Sequence, residues 1–334
     1  MAMNQRELFL PEQAASGPVA AARRHLRELA AHDWLVFVFL VILLGAAFSA
    51  QPGEMRETAI RQMGALLTFL VATLVVVRGG LLKHRFWAPL LYRLAIYGTV
   101  QLSYFFLTGL LPIVNTSTLD SELYQLDMTL FGLEPAMVMD SWVNSVTTEW
   151  FAFFYFSYFF ILALHVIPIL MFSRSRRLLG EFAFGMLTVF CVGHIVYMLV
   201  PGYGPYKAMA THFEHAFPSG MWLDMVLKAV ASGGAQMDIF PSLHTACPTF
   251  IALFAYRHRE RLPFRYSWRV TVFFAVNIII ATMFLRWHYL IDVVAGLILA
   301  SMAYVLSVRV TSWEAQRRAA LGTPGWPLFG ESAR

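Results

Sequence analysis

Hydrophobic positions along the 334-residue chain gather into long, nearly unbroken apolar runs, separated by short polar connections rather than alternating with polar positions. A helix needs about 20 mostly apolar residues to cross a hydrocarbon core, with a range of roughly 17 to 25. Eight runs meet or approach that length, at about 34–50, 60–78, 89–112, 150–172, 180–200, 242–256, 269–285 and 289–309. The sixth and seventh are the shortest. The pattern predicts an all-α, polytopic membrane helix bundle of about eight transmembrane helices. The connection 113–149 is long, and Leu119, Leu123, Leu126 and Leu130 recur in it at helical spacing, as in an interfacial helix or a packed cover over the spans.

Composition agrees with this reading. Hydrophobic residues make up 58% of the chain and charged residues 13%, about half the charged share of an average soluble domain. Two cysteines, Cys191 and Cys247, each lie inside an apolar run, which excludes a disulfide scaffold. The net charge of +5 is scattered in small clusters between spans, a distribution that suits membrane topology and not a nucleic-acid partner. With the N-terminus in the cytosol, 20 of the 25 Lys and Arg residues fall on the cytosolic side, so both termini are expected there. Between Leu111 and Trp150 there is no Lys or Arg but six acids, Asp120, Glu122, Asp127, Glu134, Asp140 and Glu149, which marks that connection as extracytoplasmic. Trp34, Trp87, Trp150, Trp268, Trp287 and Trp313 lie near predicted span ends, as in an interfacial belt. Residues 1–33 read as a cytosolic tail, 34–310 as one membrane domain with its catalytic half at about 180–310, and 311–334 as a second cytosolic tail. The first span reads as uncleaved.

Candidate chemistry concentrates in residues 201–292. Three segments, 201–207, 240–246 and 286–292, emerge on the same extracytoplasmic face under this topology. His288 and Asp292 are four apart at the head of a helix, so the carboxylate can reach back to the imidazole, fix its tautomer and leave the other ring nitrogen as nucleophile or base. An Asp inside a span costs about 2.5–3.5 kcal/mol on insertion scales and needs a partner or water. His244 follows Pro241-Ser242 at another helix start, where a Ser cap and unpaired backbone N–H groups make an anion site. Lys207, Arg286, Ser242 and Tyr206 complete a candidate phosphate-binding set, with the arginine fork and lysine suited to a phosphoryl group. His165, His194, His212 and His215 read as interfacial hydrogen bonders, and the aromatic run from Phe151 to Phe160 as packing or the wall of a lipid-chain groove. A metal held by His244, His288 and Asp292 is the competing reading. The basic neighbours favour an anion over a cation, and neither a metal nor another cofactor is expected.

Phe240-Pro241-Ser242-Leu243-His244, followed some forty residues later by His288-Tyr289-Leu290-Ile291-Asp292, resembles the second and third signatures of the type-2 phosphatidic acid phosphatase superfamily. The likeness is nearer to its inositol phosphorylceramide synthase branch, where Leu replaces Gly in the second signature and His-Tyr leads the third. It extends over about residues 180–310. It implies metal-independent phosphoryl or phosphodiester transfer from a membrane lipid at the extracytoplasmic face: His288 the nucleophile that becomes phosphohistidine, Asp292 its orienting acid, His244 the proton donor, and ceramide, diacylglycerol or water the acceptor. The chain departs from the superfamily at Ala281 and Thr282, where Ser-Arg is usual, and at the basic first signature, whose place is taken by Gly204-Pro205-Tyr206-Lys207. Pro218-Ser219-Gly220 looks like half of a second signature and reads as a turn. Hydrolysis of phosphatidate or a prenyl (di)phosphate is the alternative outcome. A lipid or anion transporter using the same residues without chemistry is the alternative class, disfavoured by the absence of inverted repeats.

Overall fold

The computed structural model describes residues 26–233, 236–323 and 325–331. The first 25 residues of the expected N-terminal tail, and the last three of the C-terminal one, lie outside that range. The described chain is helical, without named strands: α1 (Ala31–Ser49), α2 (Glu54–Arg78), α3 (Trp87–Val114), α4 (Asp120–Phe131), α5 (Ser145–Phe172), α6 (Arg176–Leu199), α7 (Met221–Ser232), α8 (Leu243–Arg257), α9 (Phe264–Phe284) and α10 (Leu290–Leu321). The helices start where capping side chains stand. Asn144 accepts the amides of Val146 and Thr147 at 3.0 and 3.1 Å, and Ser175 accepts that of Leu178 at 3.3 Å. α10 runs eleven residues past the expected domain edge at 310 before Gly322, at φ +65°, ends it.

Seven helices are long and apolar enough to cross a membrane, one fewer than the eight expected. The exception is α8, the sixth predicted span. Its 15 residues rise about 22 Å at 1.5 Å each, short of a hydrocarbon core of about 30 Å. The protein completes it at both ends. The Ser242 amide donates to the carbonyl of Asp292 at 3.0 Å, while Arg257 Nε and His258 Nε2 meet the Glu181 carboxylate, near the start of α6, at 3.1 and 3.0 Å. α8 packs against α5, α6, α9 and α10, and Ala246, Cys247, Phe250, Ile251 and Ala255 are fully buried. A helix enclosed by protein need not match lipid thickness, because its terminal groups find partners in neighbouring helices.

The core divides into two halves that share α6. α1, α2 and α3 pack together, with α1 and α3 against α6, while α5, α8, α9 and α10 surround the site. Close approach is set at Gly296 of α10, where an added Cβ would stand 2.6 Å from the carbonyl of Ser242. The leucine spacing in 113–149 does produce a helix, α4. Leu123 faces inward at 3% exposure, whereas Leu126 and Leu130 are exposed at 44% and 59%, so the element has both a packed and an apolar outer face.

Candidate active site

The site is assembled from loop ends. Thr282 near the end of α9 accepts two backbone N–H bonds through its carbonyl, from Trp287 at 2.9 Å and His288 at 3.2 Å. Arg286 takes φ +66°, an uncommon conformation for a side chain of this kind, and the turn delivers His288 to the head of α10. The loop that follows α6 crosses this turn at Gly204, where φ is +88° and a Cβ would lie 2.3 Å from the carbonyl of Trp287. Only glycine fits both demands.

His288 Nδ1 lies 3.3 Å from Asp292 Oδ2, which also accepts the Tyr289 amide at 3.0 Å. Both side chains are buried, and Asp292 Oδ1 has no hydrogen-bond partner. His244 lies across from this pair, its ring centroid 6.3 Å from that of His288. It is stacked on Tyr155 at 4.3 Å and packed on Tyr158 at 4.1 Å, with its Nε2 buried and unpartnered. Two imidazoles and a carboxylate thus converge, with one acceptor and one ring nitrogen open to a ligand. Burial holds the pKa of His288 down at about 4, against an opposing pull from the Asp238 carboxylate and the Ile239 backbone. At neutral pH its imidazole is therefore uncharged, the form a nucleophile needs.

The expected phosphate-binding residues are less uniform. Ser242 is fully buried and caps α8, its Oγ accepting the Thr245 amide at 3.2 Å. Tyr206 packs on Trp287 at 4.5 Å, and its amide donates to the Arg286 carbonyl at 2.7 Å. Lys207 is exposed, with its ammonium 3.3 Å from the centre of the Tyr203 ring. Arg286 is the one with an unforeseen partner. Its Nη2 donates to Asp140 Oδ1 and to the His215 carbonyl, each at 2.6 Å, and its guanidinium lies over Phe213 and Phe217 at 4.0 and 4.3 Å. That clamp fastens the connection 113–149 to the loop that carries His288. At the signature position of Thr282 the side chain is fully buried and bonds the carbonyl of Ile279, so no cation occupies that place. Trp287, expected in the interfacial belt, instead lines the site with Nε1 buried. Among the described residues, no group of three or more His, Cys, Asp or Glu is arranged to hold a metal ion.

Four acids of 113–149, Asp120, Asp127, Asp140 and Glu149, informative in sequence only for sidedness, hold backbone amides of later loops and helix starts. Asp120 accepts the amides of Tyr203 and Gly204 at 3.0 and 2.8 Å and the Tyr289 hydroxyl at 3.2 Å. Asp127 accepts the amides of Leu290 and Ile291 at 2.6 and 2.8 Å, capping α10 directly beside Asp292. Glu149 accepts those of Trp222 and Leu223, each at 3.1 Å, and Asp140 those of Glu214 at 3.0 Å and His215 at 3.3 Å. Glu134, desolvated and facing Asp127, has its pKa pushed up to about 9 and is protonated at neutral pH. The signal available in the sequence was a run of acids with no basic residue nearby: such carboxylates must find other donors, and backbone N–H groups at helix starts are the usual ones. Asp238 is another residue sequence reasoning missed. It stands between apolar neighbours just before the second signature, and its Oδ2 accepts the hydroxyl of Tyr104, from α3, at 2.9 Å.

Residues 121–306 match the PAP2 superfamily. The chain belongs to this superfamily. The matched region begins well before residue 180, where the sequence likeness was expected to start, and takes in most of α4 and all of α5. The matched region thereby includes the capping carboxylate Asp127 and the two tyrosines beside His244. No curated protein and no solved structure matches the chain. The superfamily, the helical fold and the candidate spans make this an integral, multi-pass membrane protein consistent with a lipid phosphatase or phosphotransferase.

Proposed function

We propose that the protein is a metal-independent phosphotransferase that moves the phosphorylated headgroup of a membrane lipid through a phosphohistidine on His288. The observation that carries this reading is the Asp292-held imidazole of His288 set 6.3 Å from the ring of His244, whose Nε2 is unpartnered. His288 Nε2 attacks phosphorus, the phosphorus–oxygen bond to the lipid alcohol breaks, and His244, which takes up a proton together with the anionic phosphate bound beside it, gives that proton to the leaving oxygen. The resulting neutral His244 then takes the proton of an incoming alcohol, whose oxygen attacks phosphorus and releases His288. Asp292 holds Nδ1–H and offsets the charge that develops on the ring. Anion contacts are assigned to the head of α8, to Lys207 and to Tyr206, with Arg286 holding the loop that carries them. The acceptor is a lipid alcohol such as diacylglycerol or ceramide, in keeping with the likeness of the signatures to the inositol phosphorylceramide synthase branch. The site faces the extracytoplasmic side, the orientation the Lys and Arg distribution favours.

One observation favours the alternative outcome, hydrolysis: phosphatase-type chemistry is what superfamily membership suggests. Incubating purified wild type and His288→Ala, in EDTA, with labelled phospholipids plus ceramide and diacylglycerol separates the cases. A His288-dependent labelled lipid is the expected product. Free phosphate or free phosphorylated headgroup alone would make the protein a phosphatase or phosphodiesterase, and no His288-dependent product would end the phosphohistidine reading.

A further inference from the structure

Asp238 is out of place in a site built for an anion. Its backbone is fixed by a bridge to Gly202, whose amide donates to the Met237 carbonyl at 3.2 Å. Its side chain is partly exposed, with Oδ2 held by the Tyr104 hydroxyl. Burial pushes its pKa up, the Tyr104 hydrogen bond opposes that shift, and its charge acts on His288. The neighbouring carboxylates of Asp120, Asp127 and Glu149 each take two or more backbone amides, and Asp140 has Arg286. Asp238 has no Lys, Arg or His within ion-pair distance among the described residues. A carboxylate so placed repels a bare phosphate and calls for a positive group on the ligand. Tyr104 lies against it, and the aromatic wall of the site is continuous: Tyr155 lies 6.2 Å from Trp287, which lies 4.5 Å from Tyr206. An anionic group set among aromatic rings is the surrounding that an ammonium ion prefers.

We infer that Asp238, fixed by Tyr104, binds an ammonium group carried on the same headgroup whose phosphate meets His244 and His288. The lipid donor is then zwitterionic, with an amine or quaternary ammonium on a short tether from phosphorus, as in an ethanolamine or choline phosphodiester. This assignment rests on the transferase reading and names its substrate class. Tyr104 belongs to α3, before the matched superfamily region. The N-terminal helices would thereby set specificity while the matched region performs the transfer.

The test compares phosphatidylethanolamine, phosphatidylcholine, phosphatidylglycerol, phosphatidylinositol and phosphatidate of matched acyl chains, with diacylglycerol or water as acceptor, on the full-length wild type, Asp238→Asn and Tyr104→Phe. The expected result is a preference of tenfold or more in kcat/KM for an ammonium donor over phosphatidylglycerol and phosphatidate. That ratio should fall at least tenfold in Asp238→Asn and by a smaller factor in Tyr104→Phe, which keeps the charge and serves as the readout if the first variant melts. Three results would overturn the assignment while leaving the transferase reading intact: preference for an inositol or glycerol headgroup, an ammonium preference that survives in both variants, or an equal loss for all donors. Turnover of none of the five by the wild type would remove both.

Discussion

The bundle carries a buried polar cluster at each end, made of similar groups and finished in different ways. At the end opposite the site, Asp33 Oδ2 accepts the Ala30 amide at 2.8 Å and Arg78 Nε at 2.9 Å, while Oδ1 accepts the Tyr92 hydroxyl. Arg78 also donates to the carbonyl of Gly325 at 2.7 Å, and Arg93 to those of Leu170 and Pro327 at 2.6 and 2.9 Å. Trp326 stacks on His32 at 4.2 Å, so the C-terminal segment seals this end. The loose ends there include the second Nη of Arg93 and of Arg318, on guanidinium groups that already hold other bonds, and the indole N–H of Trp326, whose ring is stacked on His32. At the site end, Asp292 Oδ1, His244 Nε2 and Thr245 Oγ1 are all buried without partners within one small region. An unsatisfied buried polar group costs about 1–3 kcal/mol. Three together at the junction of α8 and α10 mark the place where a ligand or water completes the network, whereas the completed cluster holds the fold.

Substitutions should separate the two clusters. The largest expected effect is on chemistry: His288→Ala, Asp292→Ala and His244→Ala should each lower turnover by about 10²–10⁴-fold with little change in the melting temperature in detergent. Next, Asp33→Ala or Arg78→Ala strands a buried charge and should cost about 3–5 kcal/mol of stability, seen as a lower melting temperature, while the turnover of the molecules that remain folded is retained. Either cluster behaving like the other in these assays would break the distinction. Asp127→Ala should fall between them. Loss of the α10 cap is expected to cost about 0.5–2 kcal/mol, and a displaced Asp292 should reduce kcat.

Two pH effects sharpen the picture further. His288 is neutral above about 4, so kcat/KM should fall as pH drops through that value, and it should fall again at higher pH as the proton that His244 must donate is lost; Asp238→Asn, by removing a charge that raises the His288 pKa, should move the acid limb lower still. Glu134 has the opposite sign. Its carboxyl titrates at about 9 in the fold, against 4.5 for an ordinary glutamate, so the folded state holds a proton that the unfolded state gives up. Stability should therefore decline as pH rises from about 4.5 to 9, and Glu134→Gln should flatten that decline in thermal melts.

Much of this was legible in the chain. The long apolar runs predict the spans because lipid tolerates little else, and the i,i+4 spacing of His288 and Asp292 predicts their contact because helix geometry fixes it. The shortfall of α8 was not readable as a helix enclosed by neighbours, because run length reports lipid thickness only for helices that face lipid. Arg286 looked like an open phosphate fork since its partner, Asp140, lies 146 residues away in sequence. Asp238 and Tyr104 were invisible as a pair for the same reason, being 134 residues apart. Helical periodicity finds partners within a turn or two; contacts between loops come only from the packing of the whole bundle.

The most direct test of the central claim is to trap the intermediate. Wild-type protein turning over a phospholipid labelled in its phosphate is quenched in alkali, where a phosphohistidine survives, and digested for mass spectrometry. The account predicts a phosphoryl or phosphodiester adduct on His288 that forms and decays as fast as product appears and is absent from His288→Ala. Normal turnover by His288→Ala, or an adduct located on another residue, would contradict it.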